Sequence, residues 1–170
     1  MRAENMSINE KIVVRENKIL KLNNILIRPV SKNEFMNINK ISYMMDSYIK
    51  TKGNCIVGPI INYSGTSADK NGQVNVELKL MVQLKYTMHN IEAPYEFSNQ
   101  IRVTNCLFAR FSEKEENLQF AYTKSQLYAF ENDIKLKGDS YTVFVENKEG
   151  RMVADVFMEV QKEDLTLESL

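Results

Sequence analysis

The chain has 170 residues, 44% of them apolar and 26% charged. That balance fits one globular domain and excludes a disordered polar chain. Lysine plus arginine equals aspartate plus glutamate at 22 each, so the basic footprint of phosphate-backbone binding is missing and nucleic acid is not an expected partner.

No apolar run approaches the roughly 18 residues of a membrane span, and the start, MRAENMSINEK, has no apolar signal-peptide core. The expectation is a cytoplasmic protein without a membrane partner. Residues 1–22 read as an N-terminal extension too small for a DNA-binding domain, in which IVV (12–14) with ILKL (19–22) supplies apolar residues for one added short strand.

A first module is expected over 23–86. NNILIRPV (23–30) alternates as a strand, and Ser31-Lys32-Asn33-Glu34 then carries the S-x-x-E pattern of a helix capping box. Phe35, Ile38, Ile41, Met45, Tyr48 and Ile49 recur at spacings of three and four, and Gly53 supplies the left-handed residue that ends a helix. Two strands follow, VGPIINY (57–63) and, past SGTSADKNG, the long VNVELKLMVQLKY (74–86).

Residues 87–96 form a connector, and a second module is expected over 97–161, followed by a tail at 162–170. FSNQIRVTNCLFARF (97–111) reads as a strand, and Ser112-Glu113-Lys114-Glu115 repeats the capping box. Leu118, Ala121, Tyr122, Ser125, Tyr128 and Ala129 form the stripe, and Gly138 is the expected stop. IKTKGN (49–54) and IKLKGD (134–139) thus read as matching helix ends, with the second helix longer by about one turn. YTVFVE (141–146) and RMVADVFMEV (151–160) flank NKEG, a hairpin signal. The order strand-helix-strand-strand is therefore written twice.

The strand faces are explicit. Val76, Leu78, Leu80, Val82 and Leu84 alternate with Glu77, Lys79, Met81 and Gln83, so one face packs on a helix and the other is polar. Glu77, Asp155 and Glu159 are the carboxylates that face a cleft if the polar strand faces are the cleft faces; on the plainer reading they are the solvated side of a half-buried sheet. Glu77 or Asp155, beside Phe144 and Phe157, would make a partly apolar site for a small ligand with a positive or donor group.

Catalytic, metal and cofactor signals are not found. The single histidine, His89, lies in a loop sequence, Cys55 and Cys106 are too few for a disulfide framework or zinc site, and the six glycines form no phosphate loop. The chain is expected not to be an enzyme.

In the second module, LFARFSEKEENLQFAYTKSQLYAF and VADVFMEV give the chain a resemblance to the GyrI-like small-molecule-binding superfamily, to which the SOUL proteins are structurally related. The resemblance spans about 23–161. It implies an α+β fold of two tandem strand-helix-strand-strand modules with pseudo-twofold symmetry, antiparallel sheets and two main helices, and a ligand held in the cleft between the modules. In drug-sensing members, a glutamate on the strand after the second helix, in a pattern like "fE-x-Y", neutralises cations. Thr142 stands at that glutamate's position here and Phe144 at the tyrosine's. The chain also has no tryptophan, which the hydrolase-like members use with a glutamate to line their pocket.

The resulting expectation is non-catalytic binding of a small molecule at Glu77, Thr142, Phe144, Asp155 and Phe157, without cofactor or metal. The alternative is an accessory protein that receives a peptide or protein in the cleft or on a sheet edge. RFSEKEENLQFAY and VENKEGRMVADVFMEV resemble standalone proteins of this fold encoded near type VII secretion loci in low-GC Gram-positive bacteria.

Overall fold

A computed structural model of the chain describes residues 11–163; the start of the N-terminal extension and most of the tail lie outside the described residues. The elements are β1 (Val14–Val30), α1 (Ile38–Thr51), β2 (Ile61–Ala68), β3 (Val74–Gln83), β4 (Glu96–Lys114), α2 (Gln119–Glu131), β5 (Leu136–Lys148) and β6 (Arg151–Val160). Short 3-10 turns, Lys32–Asn37 and Glu115–Asn117, lead into the two helices. The fold is α+β, with strand-helix-strand-strand written twice. Residues 14–22 are not a separate added strand but the first half of β1.

The six strands close into one antiparallel barrel in the order β1-β3-β2-β5-β6-β4. Each module contributes its strands in the order first, third, second, so the modules meet at two seams between corresponding strands, β2 with β5 and β1 with β4. The antiparallel sheets expected of the two modules are joined into one closed sheet. The β1–β4 seam is long and bends: register shifts occur between Arg15 and Leu20, and Asn17, Asn24 and Asn105 take left-handed backbone angles that asparagine tolerates.

Three apolar clusters hold the barrel and its helices. Inside it lie Leu20, Leu22, Ile25, Ile27, Ile61, Met81, Val103, Cys106 and Tyr141. Outside it, α1 buries Ile41, Met45 and Ile49 against Leu26, Leu80, Val82 and Leu84. The second helix buries Ala121 and Ala129 over Leu107, Phe111, Ala154 and Val156. The small stripe Ala121-Ser125-Ala129 brings α2 close to its strands; Ser125 satisfies its hydroxyl on the Ala121 carbonyl at 2.9 Å. Truncating a fully enclosed side chain such as Ile49 costs about 2–5 kcal/mol.

The helix boundaries differ between the modules. Glu34 caps the first turn by accepting from the Ser31 amide at 2.9 Å, and α1 ends at Gly53, whose φ is 70°, with the Asn54 amide donating to the Ile49 carbonyl at 3.1 Å. In the second module Ser112 belongs to β4, where its hydroxyl accepts from Arg151 Nε, and no box forms. The second helix stops early, at Asp133: this residue takes φ 55° and the Ile134 amide donates to the Ala129 carbonyl at 2.8 Å. Asp133, not Gly138, is therefore the counterpart of Gly53. The two helices are of nearly equal length, 14 and 13 residues, and IKLKGD lies beyond the second. Gly138 is inside β5, near a register shift that runs from Leu136 to Ser140.

The β5–β6 hairpin turns at Glu149-Gly150, both with positive φ, as NKEG requires. Among the described residues, no helix is long and apolar enough to cross a membrane.

Candidate functional site

The β2–β5 seam carries a cleft on the outside of the barrel. Register sets Asn62 opposite Leu80 on one side and Thr142 on the other, and sets Ser64 opposite Leu78 and Ser140. These six side chains form the floor. Val30 and Ile38, at the end of β1 and the start of α1, form one wall. Gln119, Tyr122 and Gln126, at spacings of three and four on α2, form the other.

The cleft encloses about 370 Å³, within the range of ligand pockets, roughly 300–1,000 Å³. Four aliphatic side chains, three carboxamides and four hydroxyls face it. Tyr63 and Lys79 also border it, but strand alternation sends their side chains to the barrel interior, where Lys79 Nζ lies 5.4 Å from the centre of the Tyr63 ring. Among the described residues, no charged side chain points into the cleft.

Two polar features distinguish its floor. Thr142, only 2% exposed, shares a hydrogen bond with the Tyr122 hydroxyl, which ties α2 to the seam. Burial raises the pKa of Tyr122, opposed by the Thr142 bond. Beside this pair, Asn62 Oδ1 is buried and has no hydrogen-bond partner among the described residues. A buried acceptor left unpaired costs about 1–3 kcal/mol, and a ligand that donates to it recovers that cost.

The residues expected from the sequence fall on two faces of the barrel wall. Thr142 is in the cleft floor. Phe144, two positions along β5, packs into the cluster beneath α2 and does not line the cleft. Glu77, Asp155 and Phe157 lie on the interior face, with their strand register passing through Gly65, Val143 and Tyr141 respectively. Asp155 accepts two hydrogen bonds from Arg110, each 2.7 Å, and Phe157 packs on Phe108 with ring centres 5.1 Å apart. Glu159 accepts from Lys137 at 3.1 Å.

On that interior face, the Tyr63 hydroxyl donates to Asp139 at 3.0 Å and its ring lies 5.0 Å from Tyr141. Burial first, then the Asp139 acceptor, raises the Tyr63 pKa; Glu77 adds a small upward push. Tyr141 is pushed up to about 12, chiefly by burial. A Cβ on Gly65 would sit 2.8 Å from Tyr63 Cζ, so a larger residue there would force the Tyr63 ring to shift.

Asn62, Ser64, Ser140, Gln119 and Gln126 were not expected in the site. The available signal was Asn62 itself, a poor strand former inside the apolar run IINY, where packing or a ligand must explain its place.

The closed six-stranded barrel with two helices and a cleft at the module seam is consistent with the GyrI-like fold that the sequence resembles. No family model and no curated protein matches the chain. Solved structures do. EcmrR, determined in complex with DNA, superposes with a TM-score of 0.62 at 12% identity over 89% of this chain. The chain spans 57% of the length of EcmrR. A hydrolase from Listeria innocua superposes with a TM-score of 0.53 at 5% identity, covering 85% of this chain and 91% of its own. An uncharacterized conserved protein from Listeria innocua does so with the same score and identity, covering 85% and 92%. At these identities the likeness is one of fold.

Proposed function

We propose that the protein is a non-catalytic binding protein that holds a small molecule in the cleft over the β2–β5 seam. The observation that carries the reading is the cleft of about 370 Å³, apolar on its β3 side and polar on its β5 side. An apolar wall with a few fixed polar groups is the usual composition of a small-molecule site. Binding without chemistry is supported by the groups present: hydroxyls and carboxamides orient a ligand, whereas acid–base catalysis needs a group that exchanges a proton near neutral pH.

Replacing Ser140 by tryptophan fills the floor from β5 without touching the helix cores. Compounds that raise the melting temperature of the wild-type chain in a small-molecule screen are expected to lose that effect in Ser140→Trp. Hits that stabilise both proteins equally would overturn the assignment of the cleft.

One observation favours an accessory role with a protein partner as the second reading. Phe120, Leu127 and Phe130 lie on the outer side of α2, with Phe130 81% exposed. The barrel is closed, so the helix surface and not a sheet edge would receive such a partner.

A further inference from the structure

We propose that the cleft selects an uncharged ligand that donates a hydrogen bond to Asn62 Oδ1, such as an amide or alcohol, and disfavours organic cations. This inference rests on the cleft being a binding site and adds the chemical class of its occupant.

Three observations converge. The first is the partition of charge across the barrel wall. The carboxylates near the seam, Glu77, Asp139 and Asp155, lie on the interior face or are bound to interior groups: Asp139 to Tyr63 and Asp155 to Arg110. The cleft face of the same strands carries only neutral side chains. A cation entering it would give up water without gaining a carboxylate, and a buried unpaired charge is strongly disfavoured.

The second observation is that the polar capacity of the floor is unevenly used. Tyr122 and Thr142 satisfy one another, while Asn62 Oδ1, directly across the seam from Thr142, is buried and unpartnered among the described residues. The buried open valence is therefore an acceptor, and its complement is an N–H or O–H group. A site built around one buried hydrogen-bonding group discriminates strongly against analogues that cannot pair with it.

The third is shape. Leu78 and Leu80 continue the floor beside Asn62 and Ser64, so the donor must be attached to an apolar body that lies over β3.

Three nearly isosteric probes separate these elements: naphthalene-2-carboxamide, methyl naphthalene-2-carboxylate and naphthalene-2-carboxamidinium. The ester keeps the carbonyl and loses the donor, and the amidinium keeps donors and adds a positive charge. Dissociation constants of the full chain for each, measured by ligand-observed NMR, are expected to favour the carboxamide over both others by about tenfold or more. Asn62→Ala is expected to bring the carboxamide to the ester's affinity, and Asn62→Asp to reverse the preference toward the amidinium. Ser140→Trp should abolish binding of all three.

An amidinium that binds the wild type as tightly as the carboxamide, or an ester that does so, would overturn the inference while leaving the cleft as a binding site. This comparison uses only the wild-type chain, so it does not depend on how the variants fold. If none of the probes binds, or all bind equally to Ser140→Trp, the reading of the cleft as the site fails as well.

Discussion

Asn62 and Thr142 lie opposite each other across β2 and β5, the strands that join the modules on the cleft side. One has a bonded polar group and the other an open one: Thr142 pairs with Tyr122 of α2, and Asn62 Oδ1 has no partner among the described residues. The seam therefore does two things at once. It fastens the second helix to the barrel and presents a buried, unused acceptor beside that fastening.

The Tyr122–Thr142 bond can be weighed by a double-mutant cycle. Thr142→Val leaves the Tyr122 hydroxyl half-buried without its partner and is expected to cost about 1–2 kcal/mol in urea unfolding. Tyr122→Phe should cost a similar amount, and the double variant less than the sum of the two. Strict additivity would show that the two hydroxyls contribute independently.

Glu77→Ala and Asp155→Ala are expected to leave affinity for any cleft ligand unchanged, because both side chains lie on the other face of the wall. Asp155→Ala should also cost less than about 1 kcal/mol of stability, since its partner Arg110 is 59% exposed and regains water when released. Titration calorimetry with a ligand identified in the screen, together with urea unfolding, checks both statements. A tenfold loss of affinity in either variant would place ligand contacts inside the barrel.

Glu34 makes stability sensitive to acid. Hydrogen bonds from Arg28, at 2.8 Å, and from the Ser31 amide hold its carboxyl at about 2, below an ordinary value of 4.5. A depressed carboxyl stabilises the fold above its unfolded value and loses that contribution as pH falls through the folded one. Glu34→Gln should therefore melt below the wild type at pH 7, with the gap closing between about pH 4.5 and 2. Thermal melts across that range give the curve; a gap that stays constant would mean the carboxylate's charge has no part in it.

The two thiols should react very differently. Cys55 is exposed, whereas Cys106 is fully buried in the barrel, where burial pushes its pKa up to about 11. A chromogenic disulfide reagent at pH 8 is expected to label one thiol per native chain quickly and the second only on unfolding. Rapid labelling of both would mean that the barrel opens readily.

Gly65→Ala tests the interior face. The added carbon would press on the Tyr63 ring, which is held by Asp139 and packed against Tyr141. The expected cost is about 1–3 kcal/mol. Pairing it with Tyr63→Ala, which removes the obstructing ring, should abolish most of the extra loss caused by the alanine at 65. An undiminished effect in that background would point to backbone strain in β2 instead.

Local pattern in the amino-acid sequence was enough to name the order of the elements, although the second strand runs over Ile61–Ala68 and takes in residues that read as a loop. The alternation Val76, Leu78, Leu80, Val82 against Glu77, Lys79, Met81, Gln83 assigns each residue of β3 to one of two surfaces, because side chains in a strand point alternately to opposite sides. The stripe Ile41-Met45-Ile49 and the Ser31–Glu34 box do the same for α1, and Glu149-Gly150 marks the last hairpin. Where a local signal admits two answers, the sequence misleads. Gly138 and Asp133 can both adopt a left-handed angle, and only packing of α2 on its strands decided that the helix ends at the aspartate.

Which surface holds the cleft depended on strand pairing between residues some eighty positions apart, and no short-range pattern encodes it. Closing the barrel through β2–β5 and β1–β4 turned the charged face of β3 inward and left its apolar face under α1 and along the cleft. The same closure set Asn62 beside Thr142. Alternation thus determines that Glu77 and Leu78 face opposite ways, but the three-dimensional closure of the sheet determines which of them a ligand can meet.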